Sequence, residues 1–456
     1  MIHTYSLNGY NIVIDANSGA ISVLDDIAFD VVNLYKENSF LEIEKKLLEK
    51  YDKESIKEAY EEVLELVKSD MLFSEDIYEE YVPLVNEREP VVKALCLHVA
   101  HDCNLRCKYC FAEEGEYQGK RSLMSFEVGK AAIDFIIKNS NLRKNLEIDF
   151  FGGEPLMNFD VVKQIVEYGR EQEKLYNKNF RFTMTTNGVL LDNEKLEYIN
   201  KHMYNLVLSL DGRKEVNDNM RKTLNKKGSY DIITPKFVEA ANSRNQLNYY
   251  VRGTFTKENL DFSKDVIHLN DLGFKQISIE PVVAPENESY AITYNDLDRI
   301  YKEYEGLAIK IIERKEKGED FNFFHFMIDL TGGPCVAKRL VGCGAATEYL
   351  AVTPEGDLYP CHQFVGKGEF KLGSVYEGLN DFTTREIFEK SNIYSKEGCK
   401  NCFVKFYCSG GCAANSYNEN GDINKPYEIG CLLQRKRVEC AVMIKVHEAF
   451  LGEING

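Results

Sequence analysis

The order of hydrophobic and polar positions in the first 85 residues predicts a small unit of strands followed by helices. The stretch YNIVIDANSGAISVL, residues 10–24, has two apolar runs around an Asn-Ser-Gly turn, which is typical of paired strands. Three later stretches, at 27–38, 39–51 and 55–73, place apolar residues at i, i+3 and i+4 among charged ones, which predicts amphipathic helices. The charged stretch at 74–90 is typical of a linker.

From residue 91 to about 320, the pattern becomes a regular alternation of strands and helices. Six apolar runs rich in β-branched or aromatic residues are separated by segments of helical periodicity. The runs are VVKALCLHVA, LEIDFFGG, FRFTMTTNG, NLVLSLDG, NYYVRGTFT and KQISIEPV. Such units predict an α/β fold with a parallel sheet. Eight units close a full barrel, so six predict a partial, TIM-like (β/α)6 barrel.

After about residue 325 the alternation ends, and cysteine, glycine and turn residues dominate up to a last helix in LLQRKRVECAVMIKVHEAFL. We therefore expect three domains, over residues 1–85, 86–324 and 325–456. The Gly-rich and polar stretches of the middle domain directly follow its strands. Parallel βα folds place their chemistry at that edge.

Composition and charge narrow the classes of function. The formal net charge of −17 disfavours nucleic acid as a partner, because phosphate binding needs clustered Lys and Arg. The first residues, MIHTYSLNGYNIVI, lack the basic and apolar regions of a signal peptide. No stretch approaches the ~18 apolar residues of a membrane helix. We expect a soluble cytoplasmic protein with no membrane or nucleic-acid partner.

The thirteen cysteines are grouped rather than scattered, which favours metal binding in a reducing compartment. Cys103, Cys107 and Cys110 form C-x3-C-x2-C directly after the first strand of the alternating region. Three thiolates in one loop can hold three irons of a [4Fe-4S] cluster, which leaves the fourth iron open to bind a substrate.

The C-terminal cysteines form a second group. Cys399, Cys402, Cys408 and Cys412 are spaced C-x2-C-x5-C-x3-C, a pattern that is also compatible with a zinc knuckle. Cys96 lies in an apolar strand and Cys440 in an amphipathic helix. Both are expected to be small buried residues rather than ligands.

The cysteine triplet, with its aromatic Tyr109 before the last cysteine, resembles the radical S-adenosylmethionine (SAM) superfamily. The resemblance implies that the open iron binds the amino and carboxylate groups of SAM, and that SAM cleavage gives a 5′-deoxyadenosyl radical that abstracts hydrogen. The GGEP, TTNG and SLDG stretches follow successive strands, as in that family. The implied SAM-binding residues are Tyr109, Gly152, Gly153, Glu154, Thr186, Asn187, Ser209, Asp211, Arg221 and Arg252. No catalytic residue is assigned.

The second cysteine group resembles the SPASM extension of radical SAM enzymes, which holds two auxiliary [4Fe-4S] clusters. The resemblance implies three clusters in all. Carried over by position, Cys343, Cys361 and Cys412 serve the first auxiliary cluster, with Cys335 as a fourth ligand or with an open iron for a substrate thiolate. Cys399, Cys402, Cys408 and Cys431 serve the second.

The N-terminal unit resembles the PqqD-like winged-helix domains that recognise leader peptides as an added strand. A DNA-binding winged helix is the alternative, and the Asp and Glu content of this segment disfavours it. The whole chain, with GGPC at 332–335 and AVTPEGDLYPCHQFVG at 351–366, resembles the maturases of SCIFF peptides. Those enzymes link a cysteine sulfur to a carbon of another residue, often Thr, in a cysteine-rich ribosomal peptide. A ferredoxin or flavodoxin is the implied reductant.

Two other functions stay open at this point. A sulfatase-maturing enzyme, which oxidises Ser or Cys to formylglycine, carries an Asp general base where this chain has His362, and it lacks the N-terminal unit. A non-catalytic iron–sulfur electron carrier is the other alternative. The GGEP and TTNG stretches count against it, because a carrier needs no SAM pocket.

Overall fold

The computed structural model describes residues 1–112, 115–117, 119, 121–330 and 335–454. Residues 332–334 of the GGPC stretch lie outside the described residues. Within the described residues, no helix is long and apolar enough to cross a membrane.

The N-terminal unit is a three-stranded antiparallel sheet covered by helices. Its elements are β1 (Ile2–Leu7), β2 (Tyr10–Asp15), β3 (Ile21–Leu24), α1 (Asp26–Tyr35), α2 (Phe40–Leu47) and α3 (Lys53–Lys68), followed by α4 (Val82–Asn86). The central strand is β2. Each of α1 to α3 begins at a capping residue: Asp25 accepts from the amide of Ala28, Ser39 forms a capping box, and Asp52 accepts from two amides. Their apolar faces enclose a separate small core.

The middle of the chain forms a parallel sheet with its long strands in chain order. The strands are β4 (Ala94–His101), β5 (Leu105–Cys107), β6 (Ser122–Leu123), β7 (Asn145–Gly152), β8 (Asn179–Thr186), β9 (Asn205–Ser209), β10 (Arg221–Thr223), β11 (Tyr249–Phe255), β12 (Gln276–Pro281) and β13 (Asn322–Phe323). The helices are α5 (Phe126–Asn139), α6 (Phe159–Tyr176), α7 (Asn193–His202), α8 (Lys214–Met220), α9 (Tyr230–Ser243), α10 (Ser263–Asp271) and α11 (Leu297–Glu316). The six predicted strands correspond to β4, β7, β8, β9, β11 and β12, and neighbouring members pair in parallel. Their carboxyl ends therefore share one edge.

The C-terminal part extends this sheet rather than standing apart from it. Its elements are α12 (Val336–Val341), β14 (Tyr349–Val352), β15 (Asp357–Tyr359), β16 (Gly373–Ser374), β17 (Gly378–Leu379), α13 (Phe382–Glu389), α14 (Lys405–Cys408), α15 (Ala413–Asn420) and α16 (Glu428–Ile454). Strand β14 pairs in parallel with β4, and β15 to β17 continue as an antiparallel meander. The pairing brings Cys361, which follows β15, close to Cys96 on the first strand of the middle domain.

The N-terminal unit is anchored to the C-terminal part at two places. On β1, His3 lies 2.8 Å from the Glu439 carboxylate of α16 and stacks on Phe403. The supposed linker is also docked: Asp76 accepts a 2.7 Å hydrogen bond from the Tyr394 hydroxyl and pairs with the buried ammonium of Lys405. Residues 76–86 therefore pack on the C-terminal domain instead of crossing solvent.

Candidate functional site

The triplet of cysteines lies in a loop at the carboxyl end of β4, and buried polar contacts fix the loop in place. Within it, β5 pairs with β10, so that Cys107 lies opposite Arg221. The hydroxyl of Tyr109 donates to both carboxylate oxygens of Asp211, at 2.7 and 2.8 Å. The guanidinium of Arg221 donates to the same carboxylate at 3.0 Å. Asp211 is fully buried and therefore ties the loop to β10.

The two glycines of GGEP are required by the close approach of this loop. Gly152 has φ +125°, and a Cβ there would lie 2.3 Å from the carbonyl oxygen of Ala100. A Cβ on Gly153 would lie 2.1 Å from the carbonyl oxygen of Asp102. The backbone amides of Gly153 and Glu154 instead donate to those two carbonyls. Only glycine permits this contact between the second strand and the start of the cysteine loop.

Glu154 is a buried carboxylate at the carboxyl end of the sheet. It accepts hydrogen bonds from the amide of Leu156 (3.0 Å), the hydroxyl of Thr186 (2.8 Å) and the amide of Asn187 (2.7 Å). Burial raises the pKa of Glu154 to about 7, although these three hydrogen bonds act in the opposite direction. A cationic ligand group at this carboxylate would favour its ionised form.

One cavity of about 290 Å³ brings the predicted residues together. Of the residues that the sequence analysis proposes for SAM and its cluster, those that line the cavity are Cys103, Cys107, Tyr109, Cys110, Gly152, Gly153, Glu154, Thr186, Asn187, Ser209, Arg221 and Arg252. Asp211 does not line it and lies instead behind Tyr109 and Arg221. Asp211 therefore supports two side chains that line the cavity.

The far wall of the same cavity comes from the C-terminal domain, and sequence reasoning did not assign it. His362, Gln363 and Asn415 line it. The imidazole of His362 lies 3.3 Å from the Tyr349 hydroxyl, and burial lowers the pKa of this histidine to about 4. The rings of Phe111 and Phe151 flank His362, with centroids 5.8 and 5.1 Å away. The sequence offers one signal for these residues: His362 is next to Cys361, and Asn415 is near Cys412.

The thiols of the triplet fit a cluster that supplies positive charge. Burial is the main reason that the pKa of Cys103 and of Cys107 is raised to about 12, and the neighbouring thiols of the triplet act in the same direction. Thiolates here therefore need a compensating cation, which bound iron provides. Within the described residues, no three Cys, His, Asp or Glu side chains converge closely enough for a single metal ion. The three thiols instead face the shared cavity.

The cysteines of the second group fall into two sets by their mutual electrostatic influence. Cys361 is influenced electrostatically by Cys412 and Cys343, and burial raises its pKa to about 12. Cys431 is influenced in the same way by Cys408 and Cys399, again with a pKa raised by burial to about 12. The fourth member of the latter set, Cys402, affects both Cys399 and Cys408.

The remaining cysteines lie in different surroundings. Cys335 is exposed at the start of α12. Cys96 and Cys440 are buried, as their apolar sequence surroundings predict.

Family models match two parts of the chain. A 4Fe-4S single cluster domain matches residues 92–233, and the SPASM iron–sulfur cluster-binding domain matches residues 343–403. The first match contains the triplet, and the second contains Cys343, Cys361, Cys399 and Cys402.

Three curated relatives illustrate the range of similar proteins. An uncharacterized protein of Methanocaldococcus jannaschii is 30% identical over 205 residues, 45% of this chain and 68% of that protein. Radical SAM cyclopropyl synthase TigE of Paramaledivibacter caminithermalis is 24% identical over 73% of this chain and 70% of its own. A cysteine-type anaerobic sulfatase-maturating enzyme of Clostridium novyi is 25% identical over 69% of this chain and 86% of its own.

Two solved structures share the fold. Native anSMEcpe with bound AdoMet superimposes with a TM-score of 0.65 at 18% identity, covering 78% of this chain and 99% of that one. Streptococcus suis SuiB bound to precursor peptide SuiA superimposes with a TM-score of 0.53 at 16% identity, covering 93% of this chain and 97% of that one. At these identities the likeness establishes the α/β architecture alone.

Proposed function

Because the chain belongs to the radical SAM/SPASM family, we propose that it forms a thioether within a ribosomally made, cysteine-rich precursor peptide. The family acts on peptides or proteins and uses a [4Fe-4S] cluster with SAM, together with further iron–sulfur clusters in the SPASM domain. The proposed bond joins a cysteine sulfur to a carbon of an acceptor residue such as threonine.

The observation that carries this proposal is the continuity of the cavity. Cys103, Cys107 and Cys110 line it from the middle domain, and His362 and Asn415, which are close in sequence to Cys361 and Cys412, line it from the C-terminal domain. A peptide residue at the mouth of this cavity would lie between the two groups of cysteines. A thioether needs that arrangement, because a carbon is activated at one place and a thiol is held at another.

The chain's own residues then divide into three roles. Cys103, Cys107 and Cys110 would hold the cluster that, with SAM, supplies a 5′-deoxyadenosyl radical. Glu154, Thr186, Asn187, Ser209, Arg221 and Arg252 line the space for SAM, with Glu154 suited to its ammonium group. Cys343, Cys361 and Cys412 would hold the first auxiliary cluster, with either Cys335 or the substrate thiolate as its fourth ligand.

The proposed reaction balances in atoms and electrons. In the peptide, a C–H and an S–H bond break and a C–S bond forms. In SAM, a C–S bond of the sulfonium would break, which consumes one electron from an external reductant and releases methionine. The carbon-bound hydrogen leaves as part of 5′-deoxyadenosine, and the thiol proton leaves to solvent. One electron remains, and it would pass to the auxiliary clusters held by the C-terminal cysteines.

The finer architecture belongs to the same proposal. We assign residues 1–85 as a winged-helix leader-recognition domain, 86–324 as a partial barrel and 325–456 as the SPASM domain with two clusters. In the described sheet, β3 pairs only with β2, so its outer edge can accept a leader strand. The match to peptide-bound SuiB supports the first assignment. This superposition leaves about 32 of the 456 residues of the chain unmatched. The N-terminal unit has 85 residues, so at least part of it is included in the match.

The test is anaerobic reconstitution with iron and sulfide, followed by SAM, a strong reductant and a cysteine-rich precursor peptide encoded beside this gene. We expect about 12 iron atoms per chain, from three four-iron clusters, and 5′-deoxyadenosine. We also expect a peptide that has lost two hydrogens and kept its sulfur. Zinc in place of iron, or clusters without SAM cleavage, would contradict the proposal.

Formylglycine formation is the second candidate, because a sulfatase-maturating enzyme is about as similar to this chain as TigE is. The same mass spectrum distinguishes the two reactions. A peptide whose cysteine loses its sulfur and gains an aldehyde would favour formylglycine. His362 counts against it, because a neutral buried imidazole stands where those enzymes have an aspartate.

A further inference from the structure

Two lysine residues are buried among the residues that the structure describes, and both lie among the C-terminal cysteines. They are Lys396 and Lys405. The Lys405 ammonium pairs with the Asp76 carboxylate. The Lys396 ammonium instead donates to the carbonyl oxygen of Gly410 at 2.9 Å, and no described carboxylate pairs with it. Because a buried ammonium without an anion is strongly unfavourable, Lys396 requires a negative group that the described carboxylates do not supply.

The contact with Gly410 places the Lys396 side chain between the two sets of C-terminal cysteines. Gly410 lies midway along the chain between Cys408 of the second set and Cys412 of the first. The approach is close, because a Cβ on Gly410 would lie 2.8 Å from Cδ of Lys396 and 3.2 Å from its Nζ. Gly410 also has φ +82°, a conformation that favours glycine. The turn from Cys408 to Cys412 is therefore fitted around the lysine.

Lys396 acts on thiols of both sets, and mainly on those of the second. Burial raises the pKa of Cys399, Cys408 and Cys412, and the Lys396 ammonium acts in the opposite direction on each of them. Two of these thiols belong to the second set and one to the first. A four-iron cluster held by four thiolates carries a net negative charge. Such a cluster on the second set supplies the anion that Lys396 requires.

A cavity of about 380 Å³ gives the second set room for a cluster. Cys399, Cys402 and Cys431 line it. The acids that also line it are Glu286, Glu397, Glu419 and Glu428. All four are exposed, so water and salt screen their charges. Lys396 is only 6% exposed, so its charge is screened much less and dominates the field at these cysteines.

We propose that Lys396 is the counter-cation of a [4Fe-4S] cluster held by the second set, and that it favours the reduced form of this cluster. Reduction adds one negative charge, which a buried cation stabilises. The inference deepens the proposed function and rests on it, because these four cysteines must hold one cluster. In the proposed reaction, one electron remains when the C–S bond forms. The first set then loses one electron and the second set gains it, so Lys396 draws the electron away from the place of bond formation.

The test is an anaerobic redox titration of the full-length chain, followed by electron paramagnetic resonance. The parent chain carries Cys103→Ala, Cys107→Ala and Cys110→Ala, so that only the two auxiliary sets take up iron, about eight atoms per chain. The reduction step that disappears when Cys402→Ala is added belongs to the second set. We expect Lys396→Met to make this step about tenfold less favourable, a fall of about 59 mV in its midpoint potential. Lys396→Arg keeps the charge and should keep the potential.

The matched control removes the other buried ammonium together with its carboxylate. Asp76→Asn/Lys405→Met leaves the net charge unchanged, so we expect both reduction steps to stay at the potentials of the parent chain. A second measurement is denaturant unfolding of the metal-free chain. Lys396→Met should not lower the midpoint of unfolding there, because without a cluster the substitution removes an unpaired buried charge.

Each other outcome has a definite meaning. An unchanged potential in Lys396→Met, or an equal fall in Lys396→Arg or in the control, would overturn the proposal. A lowered unfolding midpoint of the metal-free Lys396→Met chain would mean that the lysine only supports the fold. Loss of iron from both Lys396 variants would also overturn it, whereas loss from Lys396→Met alone would support the need for a cation. A parent chain that binds zinc, or only about four iron atoms, would instead refute the cluster assignment in the proposed function.

Discussion

At the scale of single residues, buried charged side chains fix the positions of the side chains that line the cavity. Asp211 contributes no cavity wall but holds Tyr109 and Arg221, both of which do. Glu154 is the opposite case, because it lines the cavity and keeps a pKa raised by burial to about 7. If Glu154 receives the SAM ammonium as proposed, its ionisation near neutrality makes SAM binding sensitive to pH.

We predict that SAM affinity falls as the pH drops below about 7. Protonation of Glu154 removes the acceptor for the SAM ammonium, so the loss should approach tenfold per pH unit below that pKa. The measurement is equilibrium SAM binding to the reconstituted protein across neutral pH. Glu154→Gln should bind weakly with a flat profile. A wild-type profile that is equally flat would show that this carboxylate does not receive the ammonium.

The residues found from the sequence are those that belong to short local motifs. GGEP, TTNG and the cysteine triplet each follow a strand within a few positions, and local order was enough to place them. His362 and Asn415 reach the same cavity only because β14 pairs with β4, more than 250 positions away in the chain. No local pattern encodes that pairing. The supporting role of Asp211 likewise depends on burial, which its motif does not reveal.

At the scale of elements, the loop from Cys399 to Cys408 is held by contacts from the N-terminal part of the chain. His3 stacks on Phe403 with ring centroids 3.6 Å apart, and Asp76 pairs with Lys405. The Lys405 side chain is only 2% exposed, so Asp76 neutralises a charge that water cannot reach. The stretch 74–90, which its charge predicts as a linker, is docked on the C-terminal domain, because Asp76 and Glu79 form ion pairs with Lys405 and Lys400.

We predict that Asp76→Asn destabilises the protein by up to about 3 kcal/mol, because it leaves the Lys405 ammonium buried without a carboxylate. The matched control is Glu79→Gln, which breaks an exposed ion pair with Lys400 on the same segment and should cost less than about 1 kcal/mol. Denaturant unfolding of the metal-free chain gives both values. Equal effects of the two substitutions would refute the importance of the buried pair.

The strands show the limits of pattern reading at this scale. The six long strands were predicted because they are continuous apolar runs, as a covered parallel sheet requires. Strand β1 was missed because IHTYSL alternates only weakly. Strands β5 and β10 were missed because they are three residues each and mostly polar. Their pairing is long-range, and neither stretch carries a signal for it alone.

For the whole molecule, residues of the middle domain and of the C-terminal domain line one cavity. The proposed function assigns SAM cleavage to the triplet and bond formation to the second group of cysteines, so the two activities should separate by substitution. An assay of SAM cleavage therefore tests the middle domain, and an assay of bond formation tests the C-terminal domain.

We predict that Cys107→Ala abolishes 5′-deoxyadenosine formation, because the triplet loses a ligand. Cys402→Ala should leave SAM cleavage largely intact and block crosslinking, because only the second auxiliary set is damaged. Cys440→Ala, which removes a buried thiol outside both sets, is the control and should retain both activities. Robust SAM cleavage by Cys107→Ala, or unchanged product from Cys402→Ala, would contradict these roles.

The contact between β1 and α16 also sets an order of events during synthesis. His3 and Glu439 are 436 positions apart, and at about 5–20 residues per second the ribosome needs roughly 20–90 s to make the chain between them. The N-terminal unit has its own small core and can fold in that time. Its docking face, however, stays open until α16 emerges. Until then the nascent chain carries a folded N-terminal unit with an uncovered docking face, which chaperones can reach.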